Sequence, residues 1–298
     1  MMKYLYYPGC SLKGQATPYE KSLLASFEKL GIVLEELPDW NCCGATTYMG
    51  VDNKAALALA ARNLAIAEDL EQDVIAPCSA CYMILNKAQH QVNEYPEMGK
   101  TIRAALANAG LKLHGKRIRV RHPLEVLVND FGVQEIKKRV SRPLSGLKIF
   151  PYYGCLIVRP KTNAFDDPWY PTTMDRLLEA LGCKPVDHAL KTKCCGGSLT
   201  GTIEEVGLRL VYHLLHEAKK KEVKAIAALC PLCQFNLEAY QKKVEKQYRE
   251  TFRLPVLYFT QLLGYAVGIE PEDLGFSQLI VPANEVLKGA EVKDEEGK

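Results

Sequence analysis

Two stretches of the chain decide how it is read. One is Asn41-Cys42-Cys43-Gly44 followed by Pro77-Cys78-Ser79-Ala80-Cys81. The other is Lys193-Cys194-Cys195-Gly196 followed by Cys230-Pro231-Leu232-Cys233. In both, 34 residues lie between the last cysteine of the CC pair and the first of the CxxC. A lone cysteine precedes each pair: Cys10, with 31 residues between it and Cys42, and Cys155, with 38 residues between it and Cys194. Ten of the eleven cysteines therefore form two copies of one pattern. The flanks repeat as well, KYLYYPGC over 3–10 answering KIFPYYGC over 148–155. A period of about 150 residues is too long for a solenoid unit and reads as duplication of a whole domain.

Working outward, the segments around the cysteines alternate between strand and helix patterns. Tyr4–Tyr7 and Ile149–Tyr152 read as short buried strands ending at a Gly-Cys turn. Tyr19–Leu30 and Thr172–Leu181 read as helices stopped by Gly31 and Gly182. A helix is predicted after each CCG, one from near Asp52, the other from Thr202 to about Lys220 with Thr202-x-x-Glu205 as a capping box. Val74–Ala76 and Ala225–Leu229 are apolar strands that deliver the CxxC, which then opens helices over Cys81–Val92 and Gln234–Tyr248. Arg117–Arg121 with Pro123–Asp130, and Leu254–Tyr258 with Thr260–Val267, close the halves as strand plus helix. Alternation of this kind predicts α/β layers, each half a small, mostly parallel sheet with flanking helices. The expected division is 1–143, 144–270 and a C-terminal extension 271–298, with the polar stretch Ser141–Gly146 at the junction and a disordered tail from about Gly289.

Composition bounds the function. The chain has 298 residues, 48% apolar and 24% charged, enough to bury a core without disulfide staples. A net charge of +3 gives no bulk case for nucleic acid or a membrane surface. No apolar run is long enough to span a membrane, and the first ten residues lack the apolar core of a signal peptide, so a cytoplasmic protein is expected. In that setting, cysteine richness points to metal or redox chemistry before disulfides.

The predicted positions place five thiols per half at strand ends and helix starts. Open α/β sheets bind ligands at strand ends, and helix N-termini favour thiolates. Structural zinc takes four ligands and would leave one cysteine over in each half. A thioredoxin-like dithiol would use only the CxxC. An iron–sulfur cluster fits the count best, with four cysteines for a cubane and a fifth either outside it or bridging irons in another geometry.

At this point the chain resembles a known family. A lone cysteine, CCG and CxxC, all present twice, are similar to the cysteine-rich CCG domain, and the span from Tyr4 to about Gly268 resembles the B subunit of heterodisulfide reductase. The resemblance implies two non-cubane [4Fe–4S] clusters, held by Cys10, Cys42, Cys43, Cys78 and Cys81 and by Cys155, Cys194, Cys195, Cys230 and Cys233. It implies reductive cleavage of a disulfide between the clusters, in methanogens the coenzyme M–coenzyme B heterodisulfide. The implied electron donors are the C subunit of heterodisulfide reductase, with cubane iron–sulfur clusters, and its flavin-bearing A subunit. No G-x-G-x-x-G fingerprint is present to bind a dinucleotide in this chain. The competing expectation is a non-catalytic iron–sulfur electron-transfer subunit of a larger oxidoreductase.

Other residues near the motifs are weighed against plainer roles. His188 is a candidate proton donor, as is His122, although a hydrogen-bonded structural histidine is the commoner case. Lys13, Arg159 and Lys193 are candidates for an anionic disulfide substrate, with Lys161 and Lys191 nearby. Tyr6, Tyr7, Tyr152 and Tyr153 read as core or as packing around the cysteines, and Cys183 as a small buried residue.

Overall fold

The structure, a computed structural model, describes residues 2–45, 47–115, 118–159, 161 and 164–283. It contains two four-stranded, all-parallel sheets, one in each half. The first half runs β1 (Lys3–Tyr6), α1 (Gly9–Lys13), α2 (Thr17–Leu30), β2 (Val33–Glu36), α3 (Thr47–Val51), α4 (Asn53–Asp69), β3 (Val74–Ile75), α5 (Ser79–Glu94), α6 (Pro96–Asn108), β4 (Val120–Arg121) and α7 (Pro123–Glu125). A π-helical turn, Val126–Gly132, and α8 (Val133–Arg139) follow. The second half runs β5 (Lys148–Tyr152), α9 (Thr173–Ala180), β6 (Lys184–Pro185), α10 (Glu204–Lys220), β7 (Ala225–Ala228), α11 (Pro231–Ala239), α12 (Gln241–Tyr248), β8 (Val256–Tyr258) and α13 (Phe259–Ala266).

Strand order is β2-β1-β3-β4 and β6-β5-β7-β8. This order reverses direction between β1 and β3, and again between β5 and β7. In open parallel sheets the crevice for a ligand lies at such a reversal, outside the carboxyl ends of the two strands. Cys10 follows β1 and Cys78 follows β3, while Cys155 follows β5 and Cys230 follows β7. Topology alone thus gathers the motifs.

Most predicted elements are present, with informative differences. Asp52 caps α4 by accepting the Ala55 N–H at 3.0 Å. The capping box expected at Thr202 does not form. Residues 196–203 already coil as successive turns, α10 begins at Glu204, and the Thr202 hydroxyl donates back to the Ser198 carbonyl at 3.2 Å. The single helix expected over Gln234–Tyr248 is two helices parted at Tyr240. There the Gln241 amide is committed to the chain before β8, donating to Leu254 O at 2.7 Å and accepting its N–H at 3.0 Å. Of the strand expected over Arg117–Arg121, residue 117 lies outside the described residues, as does the tail from Gly289.

The two halves interlock. One core cluster runs from Leu5, Leu23 and Ile84 in the first half to Leu177, Leu257 and Leu262 in the second. A smaller cluster, with Phe150, Val211 and Val256, backs the second sheet. Helix α13 lies along α2, where Ser22 Oγ and Thr260 Oγ1 are 2.7 Å apart and Tyr19 stacks on Tyr258 at 4.3 Å. The junction is pinned rather than slack: the N–H groups of Ser141 and Arg142 both donate to Ala266 O, and Leu144 is fully buried.

Candidate functional site

The lone-cysteine turns come first. Gly9 and Gly154 have φ of +67° and +73°, a region where a Cβ is strained. A Cβ on either would stand 3.1 Å from a thiol sulfur, Cys81 for Gly9 and Cys233 for Gly154. Both glycines therefore let the backbone close against the far end of the CxxC. The glycine of each CCG serves the other wall. Gly44 and Gly196, at φ +74° and +81°, bring the CC turn onto α4 and α10, where a Cβ would meet Ala56 Cα at 3.2 Å or Gly207 Cα at 3.0 Å.

A buried tyrosine ties each half together. Tyr7 Oη donates to Asn41 O at 2.8 Å, and Tyr152 Oη donates to Lys193 O at 2.6 Å. These carbonyls belong to the residues immediately before the two CC pairs. Tyr7 stands among Cys10, Cys42, Cys43 and Cys81, and Tyr152 among Cys155, Cys194, Cys195 and Cys233. Burial pushes both phenols well above their ordinary range, so each remains a protonated donor. Asn63 and Asn236 complete the ties. The Asn63 side chain accepts the Asn41 N–H at 3.0 Å, and Asn236 donates to Cys195 O at 2.7 Å. From sequence the tyrosines read as core or as packing around the cysteines, and no motif marks the asparagines.

None of the ten motif cysteines is in a disulfide. Cys43 and Cys81 sulfurs are 3.3 Å apart, and Cys195 and Cys233 sulfurs 3.4 Å apart. These four are buried, with Cys78 and Cys230. Cys155 is half-buried, and Cys10, Cys42 and Cys194 face solvent. Cys78 and Cys230 occupy the N-cap positions of α5 and α11, and their thiols interact across the seam between the halves. Crowded thiols share protons unequally. Hydrogen bonds from Cys42 and Cys81 hold Cys43 down at about 4, and one from Cys155 holds Cys194 at about 6. Cys81 and Cys233, hydrogen-bonded to those neighbours and buried, are pushed up. Removing protons from this many adjacent thiols needs a compensating cationic group.

The five cysteines of the second half line a cavity of about 80 Å³, closed on one side by Ser79 of the first half. A single buried water needs about 10–15 Å³ on this measure, so the space suits a group of several atoms. Among the described residues, no three Cys, His, Asp or Glu side chains converge as ligands of one metal ion. The donor set is thus soft, fivefold and arranged around a space rather than a point. That fits a polynuclear iron–sulfur group better than mononuclear zinc. The larger cleft, about 570 Å³ beside Lys21, Glu28 and Asp273, contains no cysteine.

The remaining candidates separate. Arg159 is exposed and close enough to Cys194 to favour its thiolate. Lys193 is exposed beside the CC pair. Lys13 is held by Glu20 at 2.7 Å and Glu36 at 2.8 Å. Lys191 is buried, 2.7 Å from Asp175, and Lys161 lies over the Trp169 ring. His188 does not line the cysteine cavity. Its Nε2 is 3.0 Å from Pro151 O, its Nδ1 accepts the Leu190 N–H, and burial lowers its pKa to about 4. His122 has the same closed arrangement against Pro77 O and Leu124 N. Cys183 is buried in the core, its thiol pushed up to about 12 by burial.

Comparison with known proteins agrees with this geometry. The CCG cysteine-rich domain model matches twice, over residues 4–86 and 150–238. The chain is 33% identical over 285 residues to the 8-methylmenaquinol:fumarate reductase membrane anchor subunit of Wolinella succinogenes, covering 95% of this chain and 99% of that one. It is 32% identical over 291 residues to the B subunit of the ferredoxin:CoB-CoM heterodisulfide reductase of Methanosarcina mazei, covering 96% of each. It is 30% identical to a protein of Archaeoglobus profundus described as like the heterodisulfide reductase B subunit, covering 97% of this chain and 98% of that one. A crystal structure of a hypothetical protein from Helicobacter pylori superposes with a TM-score of 0.74 at 16% identity, over 94% of this chain. This chain spans 52% of that protein, and the likeness shows the fold alone. Among the described residues no helix is long and apolar enough to cross a membrane. With both cysteine patterns matched and relatives aligned over nearly the full length, the chain belongs to the CCG cysteine-rich domain family, with two copies of the domain, and is similar to the heterodisulfide reductase B subunit.

Proposed function

We propose that this chain is the catalytic subunit of a heterodisulfide reductase. It reduces a disulfide, the coenzyme M–coenzyme B heterodisulfide or a related one, to two thiols, taking up two electrons and two protons. The observation that carries the reading is the duplicated set of five thiols, with Cys78 and Cys230 meeting at the seam. Cys10, Cys42, Cys43, Cys78 and Cys81 would hold one non-cubane [4Fe–4S] cluster, and Cys155, Cys194, Cys195, Cys230 and Cys233 the other. Bound there, each cluster supplies a one-electron centre whose iron can take a sulfur ligand.

The rest falls to the chain's own residues. Tyr7 and Tyr152 fix the CC turns, and Gly9 and Gly154 keep room for the cofactor. Exposed Cys10, Cys42 and Cys194 mark the side open to solvent, where a substrate approaches. Arg159 and Lys193 stand beside Cys194 as cations for an anionic disulfide. Lys13, already paired with two glutamates, contributes less. The proposed setting is cytoplasmic, with the cubane-cluster C subunit and the flavin-bearing A subunit as donors.

A second reading is favoured by one observation, the 33% identity to a subunit of a fumarate reductase, beside 32% to the heterodisulfide reductase B subunit. In it the chain passes electrons within a larger oxidoreductase and cleaves no disulfide. Anaerobic assay with a reduced viologen and the coenzyme M–coenzyme B disulfide separates the two. Disulfide-dependent donor oxidation, with two thiols formed per two electrons, supports the first. Clusters that accept viologen electrons but pass none to any disulfide support the second.

A further inference from the structure

Ser79 is the first residue of α5, between Cys78 and Ala80, and is 1% exposed. Its hydroxyl is the one buried side-chain polar atom among the described residues without a hydrogen-bond partner. Buried hydroxyls are ordinarily paired, and an orphan in a well-satisfied structure points to something that arrives later. Ser79 belongs to the first-half motif by sequence. In space it lines the cavity of the second-half cysteines. An iron–sulfur group held by those cysteines presents sulfur as an acceptor for O–H, both in its thiolate ligands and in its sulfides. The duplication supplies an internal contrast. The residue matching Ser79 in the second half is Pro231, at the start of α11, which packs against α1 of the first half. Proline offers no hydroxyl and no N–H.

We propose that Ser79 reaches across the seam to donate a hydrogen bond to a sulfur atom of the iron–sulfur group held by the second-half cysteines. The first-half group receives no counterpart from Pro231. The two centres are therefore unequal by construction. A hydrogen bond to sulfur stabilises the more negative, reduced state, so the second-half centre has its potential raised by Ser79. The inference rests on the cluster reading above. Ser79 is a positioning and tuning residue of one centre, not a ligand.

The test uses the anaerobically purified, substrate-free full chain as wild type, Ser79→Ala and Ser79→Thr. Iron and sulfide are assayed on each, followed by EPR redox titration and proton ENDOR after exchange into deuterium oxide. With equal iron and sulfide in all three, Ser79→Ala lowers one of two midpoint potentials by roughly tenfold in the reduction equilibrium, about 59 mV for one electron. It also loses one exchangeable coupling, and Ser79→Thr restores both. If Ser79→Ala does not assemble, Ser79→Val against Ser79→Thr makes the same comparison, since the two share a shape and differ by the hydroxyl. Unchanged potentials and couplings in the hydroxyl-free variant, with clusters intact, overturn the inference and leave the cluster reading standing. Wild-type protein without iron and sulfide overturns that reading, and this inference with it.

Discussion

At the scale of the residue, the duplicated cysteine pattern was legible because residue identity and spacing are written directly in sequence. What surrounds the thiols was not. Tyr7 and Tyr152 are aligned in the two repeats, yet their shared task depends on which carbonyl each hydroxyl meets, and that carbonyl lies 34 residues away for Tyr7 and 41 for Tyr152. His188 shows the converse. Its place six residues before Cys194 suggested proton transfer, but both ring nitrogens are hydrogen-bonded and the ring stacks on Phe150 at 3.5 Å. Burial holds its pKa near 4, below the 6.5 of a free imidazole. Between those values the unfolded chain binds a proton that the folded chain refuses. His188 thus contributes stability that is complete above about pH 6.5 and declines as pH falls toward about 4. Denaturant titrations across that window should show a shallower loss in His188→Gln than in wild type. Parallel curves would place the slope on other groups.

At the scale of the element, the strand–helix alternation was readable, but strand order was not, because the crossovers leave no local mark. Strand β2 (Val33–Glu36) is a charged edge strand that lacks the apolar run of a buried one, and β6 is only Lys184–Pro185. Both went unnoticed, although they place the CC pairs beside β1 and β5. The glycine turns carry a sharper expectation. Gly154→Ala puts a methyl 3.1 Å from Cys233 Sγ and strains the backbone by about 1–2 kcal/mol. Gly31→Ala carries a similar strain at φ +77°, with nothing within 4 Å of the added carbon. Gly154→Ala should lose roughly half the iron per chain while Gly31→Ala keeps it all. Equal iron in the two variants would mean that the Gly154 turn does not border the cofactor.

At the scale of the whole molecule, duplication in the sequence suggested two domains, and one of the two core clusters is threaded through both halves. Tyr19 expresses this. Its hydroxyl lies 3.4 Å from Pro77 O and 3.3 Å from Leu229 O, the carbonyls just before Cys78 and Cys230. Separation of the halves would expose the face between α2 and α13 and undo the Tyr19–Leu229 contact. The reduced apoprotein should therefore unfold in one transition, with circular dichroism and tyrosine fluorescence superimposing. Two resolved transitions would show that each half folds independently.

The interlocked core also brings the two copies of the motif together, since it fixes Cys78 against Cys230. Whether those ten thiols hold iron and sulfide is read directly by chemical analysis. Iron, acid-labile sulfide and zinc should be measured on anaerobically purified chain, with EPR on the same sample. Two [4Fe–4S] groups predict about eight irons and about eight sulfides per chain, with little zinc. One or two zinc ions per chain and no sulfide would contradict the account.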